Sequence, residues 1–228
     1  MDYSYALGAT LTYELLKMRP ESVRRVYLHT AAEPTEGLQN LLSLCKTCGV
    51  PVETGDRAFN ILSPKGNCFV IGEFSKAQQT MEPGSHIVLV NPSDAGNLGT
   101  ILRTAVGFGF PDIAIVRPAV DFYDPRVIRA SMGAAFHVRT EYFDSVESYC
   151  ERFPENHRYA FMLGSSVPLQ SVVFQPPFSL LFGNEATGLP ERCADFCDAV
   201  VIPHSRDIDS LNLPIAASIA MYTASASR

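Results

Sequence analysis

Five short runs of mostly consecutive apolar residues constrain this chain most: His86 to Val90, Ile113 to Val116, Tyr159 to Leu163, Ser179 to Phe182 and Ala199 to Ile202. A strand with one wet face alternates apolar and polar residues, whereas a near-continuous apolar run suits a strand buried on both faces. Helical patterns separate the runs. Leu98, Ile101, Leu102 and Ala105 recur at helical spacing, and Asp124-Pro125 opens another helix. The expected architecture is a parallel sheet covered by helices on both faces, closed by a helix from Leu211 to about Ala224 whose Ala and Ser residues allow close packing.

Residues 1–75 predict a smaller α/β unit. Leu7, Leu11, Leu15 and Leu16 mark a helix stopped by Pro20, and a strand follows from Val23 to His29. Leu38, Leu41, Leu42 and Cys45 follow the i, i+3, i+4, i+7 pattern of a second helix, with Thr35 as its N-cap and Gly49 beyond its end. Strands at Val50 to Glu53 and Cys68 to Phe74 complete the unit. Residues 76–85 carry Lys76, Gln78, Gln79, Pro83 and Gly84 with little to bury, which predicts a linker and a second domain at 86–228.

Composition narrows the class. No apolar run approaches the roughly 18 residues of a membrane helix, and the start Met1-Asp2-Tyr3-Ser4 lacks a secretory pattern, so a soluble cytoplasmic protein is expected. The six cysteines are then expected as free thiols. Cys45-Lys-Thr-Cys48 and Cys193-Ala-Asp-Phe-Cys197 resemble zinc-ligand pairs, but neither is surrounded by further ligands and both read as small core residues, with no metal expected. The net charge of −6 opposes a uniformly basic nucleic-acid binder, yet it is uneven. Residues 1–80 hold 8 basic and 8 acidic residues; the rest holds 10 and 16, and all ten of those basic residues are arginines, whose planar fork suits phosphate.

Three segments leave strand ends with polar residues that a core does not require: Asn91 to Arg103, Phe182 to Leu189, and Ile202 to Asn212. In an open parallel sheet ligands bind beyond the carboxyl ends of the strands, so these loops can converge on one pocket. Each loop alone reads better as a glycine-containing turn with a capping Asn or Ser.

Together the three segments resemble the signature motifs of the SpoU/TrmH family of RNA ribose methyltransferases, within the SPOUT superfamily. Asn97 with Arg103, Gly183 with Glu185, and Ser210-Leu211-Asn212 stand where the family pattern has them, and Arg129 to Ala134 resembles a family segment between the first two motifs. Residues 1–75 more loosely resemble the ribosomal-protein-like RNA-binding domain of some members. The resemblance implies a trefoil knot in the C-terminal domain and S-adenosylmethionine as cofactor, bound largely through backbone at Gly183, Ile202 and Leu211. It implies a homodimer and methylation of a ribose 2′-hydroxyl in RNA, with rRNA expected first, tRNA as the alternative, and a non-catalytic knotted RNA-binding module as the rival of another class.

The resemblance assigns the catalytic work to Asn97, Arg103, Glu185, Ser210 and Asn212. A guanidinium stays protonated, so Arg103 is expected to hold an RNA phosphate and stabilise charge developing on the 2′-oxygen. Glu185 is expected to orient Asn97 or Arg103, to serve as a carboxylate at a helix N-terminus, or to do both. Of Ser210 and Asn212, one is expected to cap the last helix and the other to face the pocket. Lys17, Arg19, Arg24 and Arg25 form a candidate phosphate-binding edge. The third segment departs from the family pattern: His204 to Asp207 stand where Met and Gly are usual, and Leu213-Pro214 replaces a common Val-Ser. An isolated histidine such as His204 is more often structural than titrating at a substrate.

Overall fold

The structure, a computed structural model, describes residues 2–63, 66–77 and 79–225; Met1 and Gln78, which entered the sequence reading, lie outside them. Along the chain run β1 (Tyr3–Leu7), α1 (Ala9–Met18), β2 (Val23–Leu28), α2 (Glu36–Thr47), β3 (Val52–Thr54), α3 (Arg57–Leu62) and β4 (Val70–Ser75). The order continues as β5 (His86–Val90), α4 (Ala95–Gly107), β6 (Asp112–Val116), α5 (Pro125–Ala130), β7 (Arg139–Phe143) and α6 (Val146–Arg152). Last come β8 (His157–Phe161), β9 (Phe178–Phe182), β10 (Asp198–Val200) and α7 (Leu213–Ser225).

Two compact units result, Met1–Ala77 with Asp121–His137, and Gln78–Val120 with Val138–Arg228. The first holds a four-stranded sheet in the order β1-β4-β2-β3, antiparallel except for the β2–β3 pair. Leu16 of α1 and Leu38, Leu41 and Cys45 of α2 pack with Val26 and Val70 of that sheet. The cap expected at Thr35 forms, with its side chain accepting from the Leu38 amide at 3.2 Å, and Gly49 leaves α2 at φ 68°.

Residues 121–137 correct the expected division, which gave all of 86–228 to one domain. Ser4 Oγ donates to the Tyr123 carbonyl, and Arg19 Nε donates to the Phe136 carbonyl at 2.8 Å. Phe74 and Phe136 meet edge to face at 5.5 Å, and a Cβ on Gly133 would lie 3.2 Å from Glu14 Cβ. The family-like segment Arg129 to Ala134 therefore belongs to the unit built around the N-terminal sheet.

The second unit holds a six-stranded sheet, β10-β8-β9-β5-β6-β7, parallel throughout. Side chains alternate across a strand, so the two faces of β5 point opposite ways. Val88 and Val90 join Phe143, Val146, Tyr149 and Phe153 in one cluster, while Ile87 and Leu89 are equally buried on the other face. α4 packs on α7, and α7 on β9. Each of these Val, Ile and Leu side chains contributes about 1.5–3 kcal/mol when fully buried, which explains why strands of this composition take central positions. Among the described residues no helix is long and apolar enough to cross a membrane.

Candidate active site

Parallel topology places the carboxyl ends of β8, β9 and β10 side by side, and a cavity of about 250 Å³ opens there beside the first turn of α7. Phe161, Leu163, Ile202, Leu211 and Leu213 supply apolar wall, and Glu185, Thr187, His204 and Ser210 supply polar groups. Gly183, Ile202 and Leu211, expected from the resemblance as the cofactor contacts, all line it. Asn97, Arg103 and Asn212 do not.

The loop after β9 closes on itself. Asn184 and Gly188 exchange backbone hydrogen bonds at 3.2 and 2.9 Å, with Gly188 at φ 68°. The returning chain lies so close to Gly183 that a Cβ there would sit 2.0 Å from the Gly188 carbonyl carbon and 2.2 Å from the Leu189 nitrogen. The resemblance implies that a ligand meets the backbone at Gly183. The approach found is that of the chain's own backbone.

Glu185, on this loop, gathers the first segment. Its Oε2 accepts from Ser93 Oγ at 2.8 Å, the Ser93 amide at 3.2 Å and Asn184 Nδ2 at 3.3 Å; its Oε1 accepts from Asn97 Nδ2 at 3.1 Å and the Asp94 amide at 3.3 Å. Burial pushes the Glu185 carboxyl up, but hydrogen bonds from its own backbone, Asn97 and Ser93 outweigh it and leave the group below its usual range. Asn97 is held at both ends, because its amide donates to the α4 N-cap Asp94 at 2.7 Å. The helix N-terminus and the orientation of Asn97 are both served by the one Glu185 carboxylate.

Ser93, Asp94 and Asn184 belong to this network and were not singled out from the sequence. Asn184 Nδ2 donates to the Asn91 carbonyl at 2.8 Å, and Asn91 itself sits at φ 54°. The available signal was the density of Asn, Ser and Asp directly after an apolar strand.

Arg103 is exposed on α4, and its side chain makes no ion pair or hydrogen bond among the described residues. Six residues along a helix turn it about 120° away from Asn97, so the two do not share one face. Ser210 lines the cavity, while the Asn212 carbonyl accepts the Ala216 amide at 3.0 Å at the start of α7. Neither side chain makes a capping bond among the described residues. Of the basic edge in the first unit, Arg19 bonds the Phe136 carbonyl, Arg24 lies 3.4 Å from Glu73 and stacks on Tyr3, and Arg25 pairs with Glu53 at 2.6 Å. Lys17 is exposed. Cys45 and Cys193 are buried among apolar side chains, which pushes the Cys45 thiol up to about 11.

The SpoU rRNA Methylase family matches residues 84–222. A tRNA/rRNA methyltransferase of Synechocystis is 33% identical over 144 residues, covering 60% of this chain and 52% of the relative, so the chain spans about half that relative's length. The 23S rRNA (guanosine-2′-O-)-methyltransferase of Acinetobacter baylyi is 24% identical over 242 residues, covering 96% of each chain. The crystal structure of the AdoMet-bound rRNA methyltransferase from Sinorhizobium meliloti superposes with a TM-score of 0.82 at 24% identity, covering 98% of this chain and 87% of that one, a likeness of fold.

Proposed function

Because the chain belongs to the SpoU rRNA Methylase family, we propose that it transfers a methyl group from S-adenosylmethionine to a ribose 2′-hydroxyl of RNA, with rRNA as the substrate class. One observation carries the reading: the cavity collects Gly183, Ile202, Ser210 and Leu211 from two separate segments, and Glu185 in its wall ties the third segment in through Asn97. Its donor set suits the cofactor. Apolar walls from Ile202, Leu211 and Leu213 fit a heteroaromatic ring, and Ser210 and Thr187 offer partners to hydroxyl and ammonium groups.

The bound cofactor supplies an electrophilic methyl group. The chain's own part is to orient and to stabilise: Glu185 holds Asn97 and the N-terminus of α4, while the exposed guanidinium of Arg103 is free to take an RNA phosphate in a bidentate grip. Residues 1–75 add RNA affinity, with the exposed Lys17 among the cations that can meet a phosphate.

The pocket is formed by a trefoil knot in which the stretch between the second and third motifs is threaded. In support, Val201 beyond β10 pairs with the β8–β9 connection, accepting from the Leu169 amide at 2.8 Å and donating to the Val167 carbonyl at 2.9 Å. The enzyme acts as a cytoplasmic homodimer. α7 supports the dimer by leaving Ile215, Ile219 and Tyr222 exposed at helical spacing, an apolar stripe suited to a two-fold contact.

Mapping ribose methylation across total RNA from cells with and without the gene tests the reading. One 2′-O-methyl mark vanishing with the gene is the expected result, and an unchanged map rejects it.

A further inference from the structure

The four-stranded sheet of the first unit has two unlike faces. Side chains of α1 and α2 cover one of them, where Leu16, Leu41, Val26 and Val70 pack. Strand alternation and register turn Tyr3 and Tyr5 of β1, Glu73 of β4, Arg25 and Tyr27 of β2 and Glu53 of β3 to the other. The six-residue helix α3 covers only part of that face: Phe59 packs with Cys68 and Ile71, and Tyr5, Tyr27 and Leu62 lie half-buried against them. Between α3 and the sheet a cavity of about 390 Å³ remains, lined by Tyr5, Tyr27, Glu53, Arg57 and Ile61 among others.

The polar groups around this cavity are not equivalent. Glu73 is buried and engaged within the sheet, accepting from Tyr27 Oη at 2.8 Å and facing Arg24 and Arg25 at 3.4 and 3.7 Å, which fixes the Tyr27 ring. Asp56 accepts the Thr30 amide at 3.0 Å and the Thr30 hydroxyl at 2.8 Å. Glu53 holds Arg25 Nη1 through Oε1 at 2.6 Å, its side chain is half exposed, and its Oε2 makes no hydrogen bond among the described residues. Arg57 is exposed on the cavity wall and has no ion pair among the described residues. Ile61, 69% exposed, adds apolar surface to the wall.

Two aromatic rings with an open carboxylate beside them suit a flat heterocycle that carries N–H donors on its edge, and a free guanidinium next to them suits a phosphate. An unpaired nucleobase of RNA has both features, whereas a paired base has its donor edge occupied. Among the four bases guanine alone presents two adjacent N–H donors on its pairing edge, the pattern that the two oxygens of a carboxylate accept. We propose that this cavity receives an unpaired guanine of the RNA substrate, with its ring against Tyr5 and Tyr27, its pairing edge on Glu53 and a flanking phosphate on Arg57. The proposal rests on the RNA-directed reading above and gives the first unit a base to recognise, where the sequence offered only a cationic edge.

The test uses the full chain and short single-stranded uridine oligonucleotides, each with a central guanosine, a central adenosine or neither. With ring-labelled tyrosine, the NMR signals of Tyr5 and Tyr27, assigned by substitution, are expected to shift with the guanosine oligonucleotide and to stay in place with uridine alone. By fluorescence anisotropy, Tyr5→Leu is expected to weaken binding of the guanosine oligonucleotide roughly 10-fold and Tyr5→Phe to retain it, because the ring rather than the hydroxyl stacks. Glu53→Gln is expected to remove a preference for guanosine of about 10-fold and to leave binding of the all-uridine oligonucleotide unchanged. Urea melts certify the fold of each variant, and if Tyr5→Leu unfolds the unit, the half-exposed Glu53 carries the test. Equal affinity of wild type and Glu53→Gln for the guanosine oligonucleotide, or unmoved Tyr5 and Tyr27 signals, overturns the pocket and leaves the methyltransferase reading standing. Guanosine 5′-monophosphate bound as tightly as the oligonucleotide overturns the assignment to RNA in favour of a free nucleotide. A guanosine-dependent shift at Tyr5 and Tyr27 beside an unchanged ribose-methylation map supports the pocket and rejects the methyl transfer.

Discussion

Asn97 Nδ2 donates to Glu185 Oε1 at 3.1 Å, joining residues 88 positions apart and tying the first turn of α4 to the loop that walls the cavity. The bond joins two segments that the sequence displays separately. Asn97 works on the cavity through Glu185, and Glu185 depends on α4 for its charge.

Replacing Glu185 tests that dependence. Glu185→Gln keeps the shape but loses the charge, and turns an amide group toward donors. The expected cost is about 1–3 kcal/mol of stability at neutral pH, read as a lower urea midpoint. The Glu185 carboxyl is held below its usual range in the folded protein, so its stabilisation is complete above the unfolded value of about 4.3 and is lost as the pH falls through the lower folded value. The gap between wild type and variant should therefore narrow in acid. A gap independent of pH removes the charge from the argument.

Arg103→Ala should leave melting temperature and S-adenosylhomocysteine binding unchanged, because the side chain is exposed and unbonded among the described residues. Methyl transfer should fall roughly 10²–10³-fold, and Arg103→Lys should recover little, since a point charge does not reproduce the fork. Equal transfer by wild type and Arg103→Ala would falsify the assignment.

Gly183 and Gly188 should respond differently to alanine. A Cβ at Gly183 meets the Gly188 carbonyl carbon at 2.0 Å, whereas Gly188 faces open space and pays only for its φ of 68°. Gly188→Ala should cost roughly 1–2 kcal/mol. Gly183→Ala must displace backbone and should abolish S-adenosylhomocysteine binding or folding; comparable melting curves for the two variants would contradict the crossing.

His86 sets an acid limit on the second unit. It is fully buried, with Nε2 donating to the Glu82 carbonyl and Nδ1 accepting from Tyr149 Oη, both at 2.9 Å. Burial holds its pKa below the usual 6.5. The unfolded chain therefore takes up a proton first as the pH drops below about 6.5, and unfolding free energy should decline from there toward the lower folded value. Urea titrations at about pH 7.5 and 5.5 should show the decline, and His86→Gln should flatten it at the cost of a lower baseline.

The sequence by itself determined the elements whose cause is local. The parallel strands read from apolar runs, Thr35 and Gly49 bound α2, and Asp124 accepts the Arg126 amide at 2.8 Å to open α5. Each signal lies within a few residues of its effect. β1, α3, β7 and α6 escaped that reading for reasons equally local in kind: β1 is a five-residue strand interrupted by Ser4, β7 opens on the polar run Arg139-Thr140-Glu141, α3 spans six residues, and α6 is capped by Ser145 with Ser148 rather than by an acidic partner. The three motif segments were legible as residues, but their meeting was not. Only the tertiary structure decided that Glu185 holds Asn97, that Gly183 yields to its own returning chain, and that residues 121–137 fold with the N-terminal sheet. These are contacts between surfaces brought together by packing, and packing depends on the shape of all the partners at once, which no window along the chain contains.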